Sequence, residues 1–320
     1  YSDYREMARA EAARDDGIDA VAIVTPNHLH HPVACAFMDA GIDVISDKPV
    51  TTTLDQALDL VQRQKQSGVI FGVTYAYAAH AMVRQARAMI AAGQLGEIRQ
   101  IHVEYFQEWA LDLTDQSDEI APWRLDPAKG GDTFTVGDIG THAEHLATFV
   151  TGKNLTAVRA DFHVTGGPKS MEDTAFMQLR FDGNIPGTLM VSQAMAGTHC
   201  GLRLRVAGTK AGLEWDAENP EYLRYARVNE PAQTIARGYG SAMLPEALRF
   251  VRMPQGHPEA LSDAWANLYT EFAIAIEARR NGVELSEDLL AYPTLQDGAN
   301  GMRFVAAAAR SNATGNWENC

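Results

Sequence analysis

The chain is poor in cysteine and in positive charge, and it has no glycine-rich phosphate loop. Its three cysteines, Cys35, Cys200 and Cys320, are far apart and form no C-x-x-C. That argues against a disulfide framework or zinc ribbon and fits a reducing compartment. G-x-G-x-x-G does not occur: Gly238-Tyr239-Gly240 lacks the third glycine, and the pairs at 130–131 and 166–167 read as loop glycines. Lys and Arg number 27 against 41 Asp and Glu, a net charge of −14, so no broad basic surface is available for nucleic acid or an anionic membrane. No apolar run approaches the ~20 residues of a membrane span. Signal peptide, repeats and low-complexity segments are not visible. What remains is 320 residues that are 46% hydrophobic, enough for about two domains with real cores.

Strands and helices alternate over residues 1–76. Residues 20–25 form a continuous apolar run, the pattern of a strand covered on both faces, and the run stops at Pro26-Asn27. Pro32 opens a helix striped by Val33, Ala36, Phe37 and Ala40, with Gly41 at its left-handed cap. A second strand over 43–46 ends abruptly in Asp47-Lys48-Pro49. Thr53-Leu54-Asp55-Gln56 reads as a capping box for a helix reaching Gly68, and a third strand spans 69–73. This order implies right-handed crossovers and a parallel sheet. It supplies three strands of the six in a doubly wound nucleotide-binding domain. The sequence thus predicts the C-terminal part of such a domain. Its first βαβ, with the pyrophosphate-binding turn, is expected to be missing, and the Val21 strand to be an exposed apolar edge.

Residues 77–320 read as a second, α+β domain. Met82, Ala86, Met89 and Ile90 stripe a helix ending at Gly93. Strands follow over 98–109, 156–165, 174–181, 187–193, 202–207 and 212–215. Their short turns predict a mainly antiparallel sheet with helices on one face. Two late helices are predicted over 263–280 and 294–311.

Ligands of open parallel sheets sit just outside the carboxyl ends of the strands, so Lys48 is placed to act on a bound molecule. A second chemical segment runs from Gly137 to Leu146. As a helix it puts Asp138, His142 and His145 on one face at i, i+4 and i+7, with glycines 137 and 140 leaving room for a ligand. An Asp beside a His is a natural acid–base pair, the carboxylate raising the imidazole pKa and orienting the ring. No metal is expected. Neither His28, His30 and His31 nor His142 with His145 has a cysteine or further carboxylate completing a set at a familiar spacing. His28 and His31 are expected on the surface and Cys35 in the core.

Three ordered motifs, Thr25-Pro26-Asn27-x-x-His30, Asp47-Lys48-Pro49 and Asp138-x-Gly140-x-His142, resemble the Gfo/Idh/MocA family. Its members are NAD(P)-dependent oxidoreductases acting mostly on sugars, inositols and related polyols. Secondary matches at Gly93-x-Leu95-Gly96-Glu97-Ile98, Trp123-Arg124-x-Asp126-Pro127 and Gly256-His257-Pro258-Glu259 extend the resemblance over essentially the whole chain. The resemblance implies a partial Rossmann domain and a substrate-binding, oligomerisation domain. It places Lys48 at the nicotinamide and the reacting hydroxyl, makes His142 the general acid/base, and lets Asp138 support that histidine or bind substrate. Thr25, Pro26, Asn27, His30, Asp47 and Pro49 would line NAD or NADP, with Trp123 and Arg124 at the nicotinamide end. Tyr77 and His257 would join Asp138 and His142 around the substrate. Asp47 departs from the family's usual Glu-Lys-Pro by one methylene and keeps the charge.

The implied reaction is hydride transfer from a secondary alcohol of a sugar or polyol to the cofactor, with either His142 or Lys48 as the base. Assembly as a homodimer or homotetramer through the second-domain sheet and a cytoplasmic location belong to the same expectation. Two alternatives stand beside it. One is a glycosidase that oxidises its sugar transiently and recycles the cofactor. The other is an inactive assembly or sugar-binding module, which would follow from the absent first βαβ.

Overall fold

The computed structural model describes residues 1–116, 122–285 and 291–320. The first unit comprises α1 (Tyr4–Ala12), β1 (Ala20–Ile23), α2 (His30–Asp39), β2 (Asp43–Ser46), α3 (Leu54–Ser67) and β3 (Phe71–Val73). Its three strands lie parallel in the order β1-β2-β3, with Val21 opposite Val44 and Val44 opposite Phe71. Every residue of β2 is buried, as expected of a strand with a neighbour on each side and helices on both faces. The double coverage expected of the first strand is not found. Among the described residues β1 is the edge of the sheet, Ala22 is exposed, and Val24 just beyond it is 72% exposed.

Local chemistry sets the helix ends. Asp3, at the N-cap of α1, accepts from the backbone N–H groups of Arg5 and Glu6. Gly41 and Gly68 take left-handed conformations after α2 and α3. The capping box on α3 is only half formed. Thr53 accepts from Gln56 N, but Gln56 Oε1 turns aside to the backbone N–H and hydroxyl of Thr52.

The second unit begins with α4 (Ala81–Ala91) and β4 (Ile98–Phe106). The short α5 (Pro127–Gly130) and then α6 (Thr141–Thr151) lead to β5 (Leu155–His163), β6 (Thr174–Phe181), β7 (Ile185–Ser192), β8 (Gly201–Gly208) and β9 (Ala211–Asp216). Next come β10 (Tyr222–Arg227), β11 (Gln233–Ala236), α7 (Pro245–Leu248), α8 (Leu261–Arg280), α9 (Leu295–Thr314) and β12 (Glu318–Asn319). The nine strands form one sheet in the order β11-β10-β9-β8-β4-β7-β6-β5-β12. It is antiparallel except at β4–β7, which is parallel. Alternation of buried and exposed positions along β6 shows one face turned to the core. Helices α4, α6 and α9 cover that face.

The last two long helices return to the first unit. Phe272 of α8 packs on Gly72 of β3, where a Cβ would lie 2.2 Å from the phenyl ring, so only glycine admits this approach. Pro293 accepts from Val73 N at 2.9 Å, and Thr294 with Asp297 forms a complete capping box that starts α9 against β3. Further along, α9 packs on β5 of the large sheet. No helix among the described residues is long and apolar enough to cross a membrane.

Candidate active site

The site forms where the parallel strands end. After β2, Asp47 N donates to Ile23 O at 2.9 Å, and Asp47 Oδ1 accepts from Lys48 N and Thr74 Oγ1, both at 2.8 Å. The Asp47 side chain therefore ties together the ends of β2 and β3. The Lys48–Pro49 peptide is cis. His30 is 1% exposed and spans two backbone carbonyls, with Nε2 2.8 Å from Thr25 O and Nδ1 2.9 Å from Pro49 O. Burial lowers its pKa although both carbonyls favour the cation. His30 is thus a brace between the Thr25-Pro26-Asn27 and Asp47-Lys48-Pro49 segments: the neutral ring donates to one carbonyl, according to its tautomer, and both nitrogens face backbone oxygens. Asn27 Nδ2 donates to Gly130 O at 3.0 Å, drawing the Trp123 segment over the strand ends. Thr25 Oγ1 and His28 Nδ1 are buried and lack hydrogen-bond partners. His28 as a whole is half-buried, its ring only partly at the surface.

Lys48 is brought together with Asp138 of the second unit. Its Nζ donates to Asp138 Oδ1 at 2.5 Å and to Asp138 O at 2.8 Å. Arg124 Nη1 lies 3.1 Å from the same carboxylate oxygen, and Gln193 Nε2 donates to Oδ2 at 2.8 Å. Burial pushes the Asp138 carboxyl up. The charges of Lys48 and Arg124 and the bonds from Lys48 and Gln193 outweigh it, holding the group well below the usual carboxylate range. Asp138 sits in a single π-helical turn, Val136–Gly140, ahead of α6, an irregularity often found at functional sites. Glu172 accepts from Phe134 N and Val136 N at 3.1 and 3.0 Å, anchoring the start of that turn. Burial pushes Glu172 up to about 7 against those bonds.

The expected Asp138–His142 pair does not form. The carboxylate is spent on two cations and an amide, while His142 Nδ1 is buried with no partner. The imidazole meets the edges of Tyr75, Tyr77 and Tyr105 at centroid distances of 5.6, 5.1 and 6.4 Å. Burial, then the nearby Lys48 charge, lowers its pKa well below the ordinary value, and the opposing pull of Asp138 is weaker. His142 is therefore a neutral imidazole. His145 does not join it at the site: it stacks on Tyr75 at 4.2 Å and on Phe149 at 5.5 Å, and burial pushes it down to about 4.

Beyond His142 lies a polar wall assembled from the large sheet and from the turn over Ala76–Ala79 that carries Tyr77. Tyr77 and Tyr105 hydroxyls hydrogen-bond to each other at 2.6 Å, and both reach Cys200 Sγ, at 3.1 and 3.4 Å. Gln107 Nε2 donates to Tyr105 OH at 3.2 Å, and Gln107 Oε1 accepts from Gln193 Nε2 at 3.3 Å. One hydrogen-bonded chain thus runs from Lys48 through Asp138, Gln193 and Gln107 to the tyrosines. Of these wall residues only Tyr77 is expected from the sequence. Tyr105, Gln107, Gln193 and Cys200 lie on or beside β4, β7 and β8, where alternation marks the inward face but not its chemistry. Trp123 lies under the Arg124 guanidinium at 4.7 Å and shares a narrow cleft with Asn27, Phe134 and Asp138. His257 is not brought to this cluster: its side chain is exposed, and its backbone carbonyl accepts from Arg237 at 2.5 Å.

This geometry agrees with the comparisons to known proteins. Residues 1–75 match the oxidoreductase family described as having an NAD-binding Rossmann fold, and residues 83–214 match the GFO/IDH/MocA C-terminal domain. The chain belongs to this family of NAD(P)-dependent oxidoreductases. It is 34% identical over 319 residues to the uncharacterized oxidoreductase YfiI of Bacillus subtilis, covering 97% of this chain and 80% of that protein. It is similar to a crystal structure of an inositol dehydrogenase homolog complexed with NAD+ from Azotobacter vinelandii. There the identity is 35% and the TM-score 0.92, over all of this chain and 83% of that one. A structure of an inositol dehydrogenase homolog from the same organism, complexed with NADH and myo-inositol, matches at 34% identity and a TM-score of 0.89, with the same coverage. The match of residues 1–75 to an NAD-binding description counts against the cofactor-free module considered above.

Proposed function

We propose that the chain oxidises a secondary alcohol of an inositol, sugar or similar polyol with NAD(P), and that Lys48 and His142 stand at the reacting centre. One observation carries the reading: Lys48 of the first unit is ion-paired with Asp138 of the second, while the neighbouring His142 is neutral and unpaired. The unpartnered Thr25 hydroxyl at the end of β1 supports a polar ligand there, and the narrow cleft shared by Asn27, Trp123, Arg124 and Asp138 borders the same catalytic groups. Thr25, Pro26, Asn27, Asp47, Lys48, Pro49, Trp123 and Arg124 would hold the nicotinamide cofactor, and His30 would keep their backbone in place. When bound, the cofactor supplies the hydride acceptor.

The chain's own residues handle the proton and the charge. Asp138 takes two donations from Lys48 through its carboxylate and carbonyl, which fixes the ammonium and leaves a third N–H for a substrate oxygen. That charge stabilises the oxygen as its proton leaves. His142 accepts the proton at a ring nitrogen. Its lowered basicity suffices because the hydroxyl becomes strongly acidic as the carbonyl forms. The hydroxyls of Tyr77 and Tyr105 would bind neighbouring hydroxyls of the substrate. Myo-inositol bound to the similar Azotobacter protein supports a cyclic polyol. A cytoplasmic location and assembly through the nine-stranded sheet complete this reading.

The test is His142→Asn assayed with NAD+ and NADP+ across inositols, aldoses and anhydrosugars. Turnover on the best substrate is expected to fall by about 10²–10⁴-fold, with cofactor affinity changed by less than about threefold. Unaltered turnover would remove His142 from the chemistry. Glycoside cleavage without net reduced cofactor would replace the dehydrogenase reading by the glycosidase one.

A further inference from the structure

Apart from the residues of the Lys48–Asp138 site, α2 and α3 hold a cluster of nitrogen, sulfur and oxygen donors. His31 and Cys35 stand one turn apart on α2, and Asp59 reaches them from α3. His31 Nε2 is 2.8 Å from Asp59 Oδ2, and Cys35 Sγ is 3.6 Å from His31 Nε2 and 3.9 Å from Asp59 Oδ2. All three residues are half-buried and aim these atoms at one another. The sequence expectation concerned sets at a familiar spacing along the chain; in space, Cys35 and Asp59 stand beside His31. Spacing along the chain hid the set, because the third donor comes from the next helix. Cys35, expected in the core, lies at its margin.

We propose that His31 Nε2, Cys35 Sγ and Asp59 Oδ2 form a binding site for one zinc-class divalent cation, with water as the fourth ligand, that pins α2 to α3. The donor spacing supports this. Bonds of about 2.0–2.1 Å to nitrogen and oxygen and about 2.3 Å to sulfur place tetrahedral ligands roughly 3.3–3.6 Å apart. The three observed separations depart from that range by about half an ångström or less, within reach of side-chain torsion alone. On binding, the Cys35 S–H proton passes to solvent as the sulfur–metal bond forms, and no electron is transferred. The resulting thiolate and the Asp59 carboxylate together balance the charge of a dication.

Arg63 competes for the same acid, since its Nε donates to Asp59 Oδ2 at 2.8 Å while its Nη1 faces Asp39 Oδ1 at 3.3 Å. In the loaded site Arg63 shifts toward Asp39 or the second Asp59 oxygen. A cation here would also stiffen the start of α2, where the adjoining His30 braces the carbonyl of Pro49, one residue from the catalytic lysine.

The test is titration of the full chain with Co2+, followed by displacement with Zn2+. Expected are one cobalt per chain, a thiolate-to-cobalt charge-transfer band with intense tetrahedral d–d absorption, and a thermal midpoint raised by Zn2+. The band should persist in Cys200→Ser/Cys320→Ser and vanish in Cys35→Ser. His31→Gln and Asp59→Asn should weaken cobalt binding by at least about 10-fold, and Arg63→Met should tighten it. Circular dichroism of metal-free Cys35→Ser verifies that the variant folds. If it does not, the weakening of cobalt binding by at least about 10-fold in His31→Gln and in Asp59→Asn decides, and unchanged binding in both overturns the proposal. Absence of any thiolate band, its persistence in Cys35→Ser, or its loss with the other two cysteines would overturn the proposal.

Discussion

Asp138 and Glu271 each sit between two cations, yet the two clusters differ in what they leave unspent. Glu271 takes Arg84 Nη2 at 2.7 Å on one oxygen and Arg249 Nη2 at 2.5 Å on the other. Arg84 also donates through Nε to Ala78 O at 2.6 Å, and its guanidinium lies over the rings of Phe149 and Phe250. Its side chain is 4% exposed and that of Glu271 2%. Burial pushes Arg84 down to about 10 despite the adjacent carboxylate. That cluster is closed, a polar rivet joining α4 to α8. Around Asp138 the side chains of Lys48 and Asp138 are each 14% exposed and that of Arg124 is 32% exposed. A buried ion pair is weak evidence for function by itself. What separates the two is an ammonium with a donor to spare, next to an imidazole with none of its bonding committed.

Substitutions can break or sharpen that contrast. Glu271→Ala is expected to have the largest effect, a loss of about 3–5 kcal/mol in denaturant unfolding, because it strands a buried guanidinium. A loss below about 1 kcal/mol would mean that the closed cluster is not structural. Lys48→Met should act on rate instead. Turnover is expected to fall by about 10²–10³-fold, roughly 3–4 kcal/mol of barrier, while Arg124 and Gln193 still satisfy Asp138 and stability drops by less than about 2 kcal/mol. A variant that unfolds readily but turns over normally when folded would merge the two clusters into one class.

Asp138→Asn probes the same pair through pH. The folded-state pKa of Asp138 is depressed, so its contribution to stability is present above the unfolded value of about 4 and is lost as pH falls below it. The stability gap between wild type and Asp138→Asn should therefore shrink on acidification below about pH 4; a gap that stays constant down to pH 3 would show that the carboxylate is not held ionised. The smallest effect is expected for Arg249→Met, at most about 1–2 kcal/mol, since this arm is a third exposed and Arg84 remains to pair the acid.

Lys48 and Asp138 were legible because each sits in a short motif fixed to a strand end or helix start, where spacing translates directly into position. The pairing between them was not. Reading 137–146 as a regular α-helix put Asp138 one turn before His142 and suggested that they bond. The π turn, and an amine arriving from another sheet, changed the partner. His30 shows the same limit: the motif marks the residue, while only the fold reveals that both ring nitrogens face the carbonyls of Thr25 and Pro49. Strands β10 and β11 escaped notice because Arg224, Arg227 and Gln233 interrupt their apolar pattern on an open part of the sheet. Helix α1 has only Ala8 and Glu11 buried, too little for a stripe. The long helices α8 and α9 were visible from their periodicity, but not that both reach back to the first unit, α9 while still packed on β5 of the large sheet.

That return of α9 has a mechanical consequence. Two glycines in it, Gly298 and Gly301, let its backbone lie close against Val50 and Tyr75; a Cβ at Gly298 would lie 3.0 Å from the Val50 Cβ, and one at Gly301 2.8 Å from the Tyr75 hydroxyl. Val50 follows the lysine segment by one residue, and Tyr75 touches the ring of His142. The helix therefore works as a gauge block, bearing on one unit beside Lys48 and on the aromatic ring that seats His142. Two groups ninety-four residues apart in sequence thus share one spacer, a single rod that bears on the neighbourhood of both.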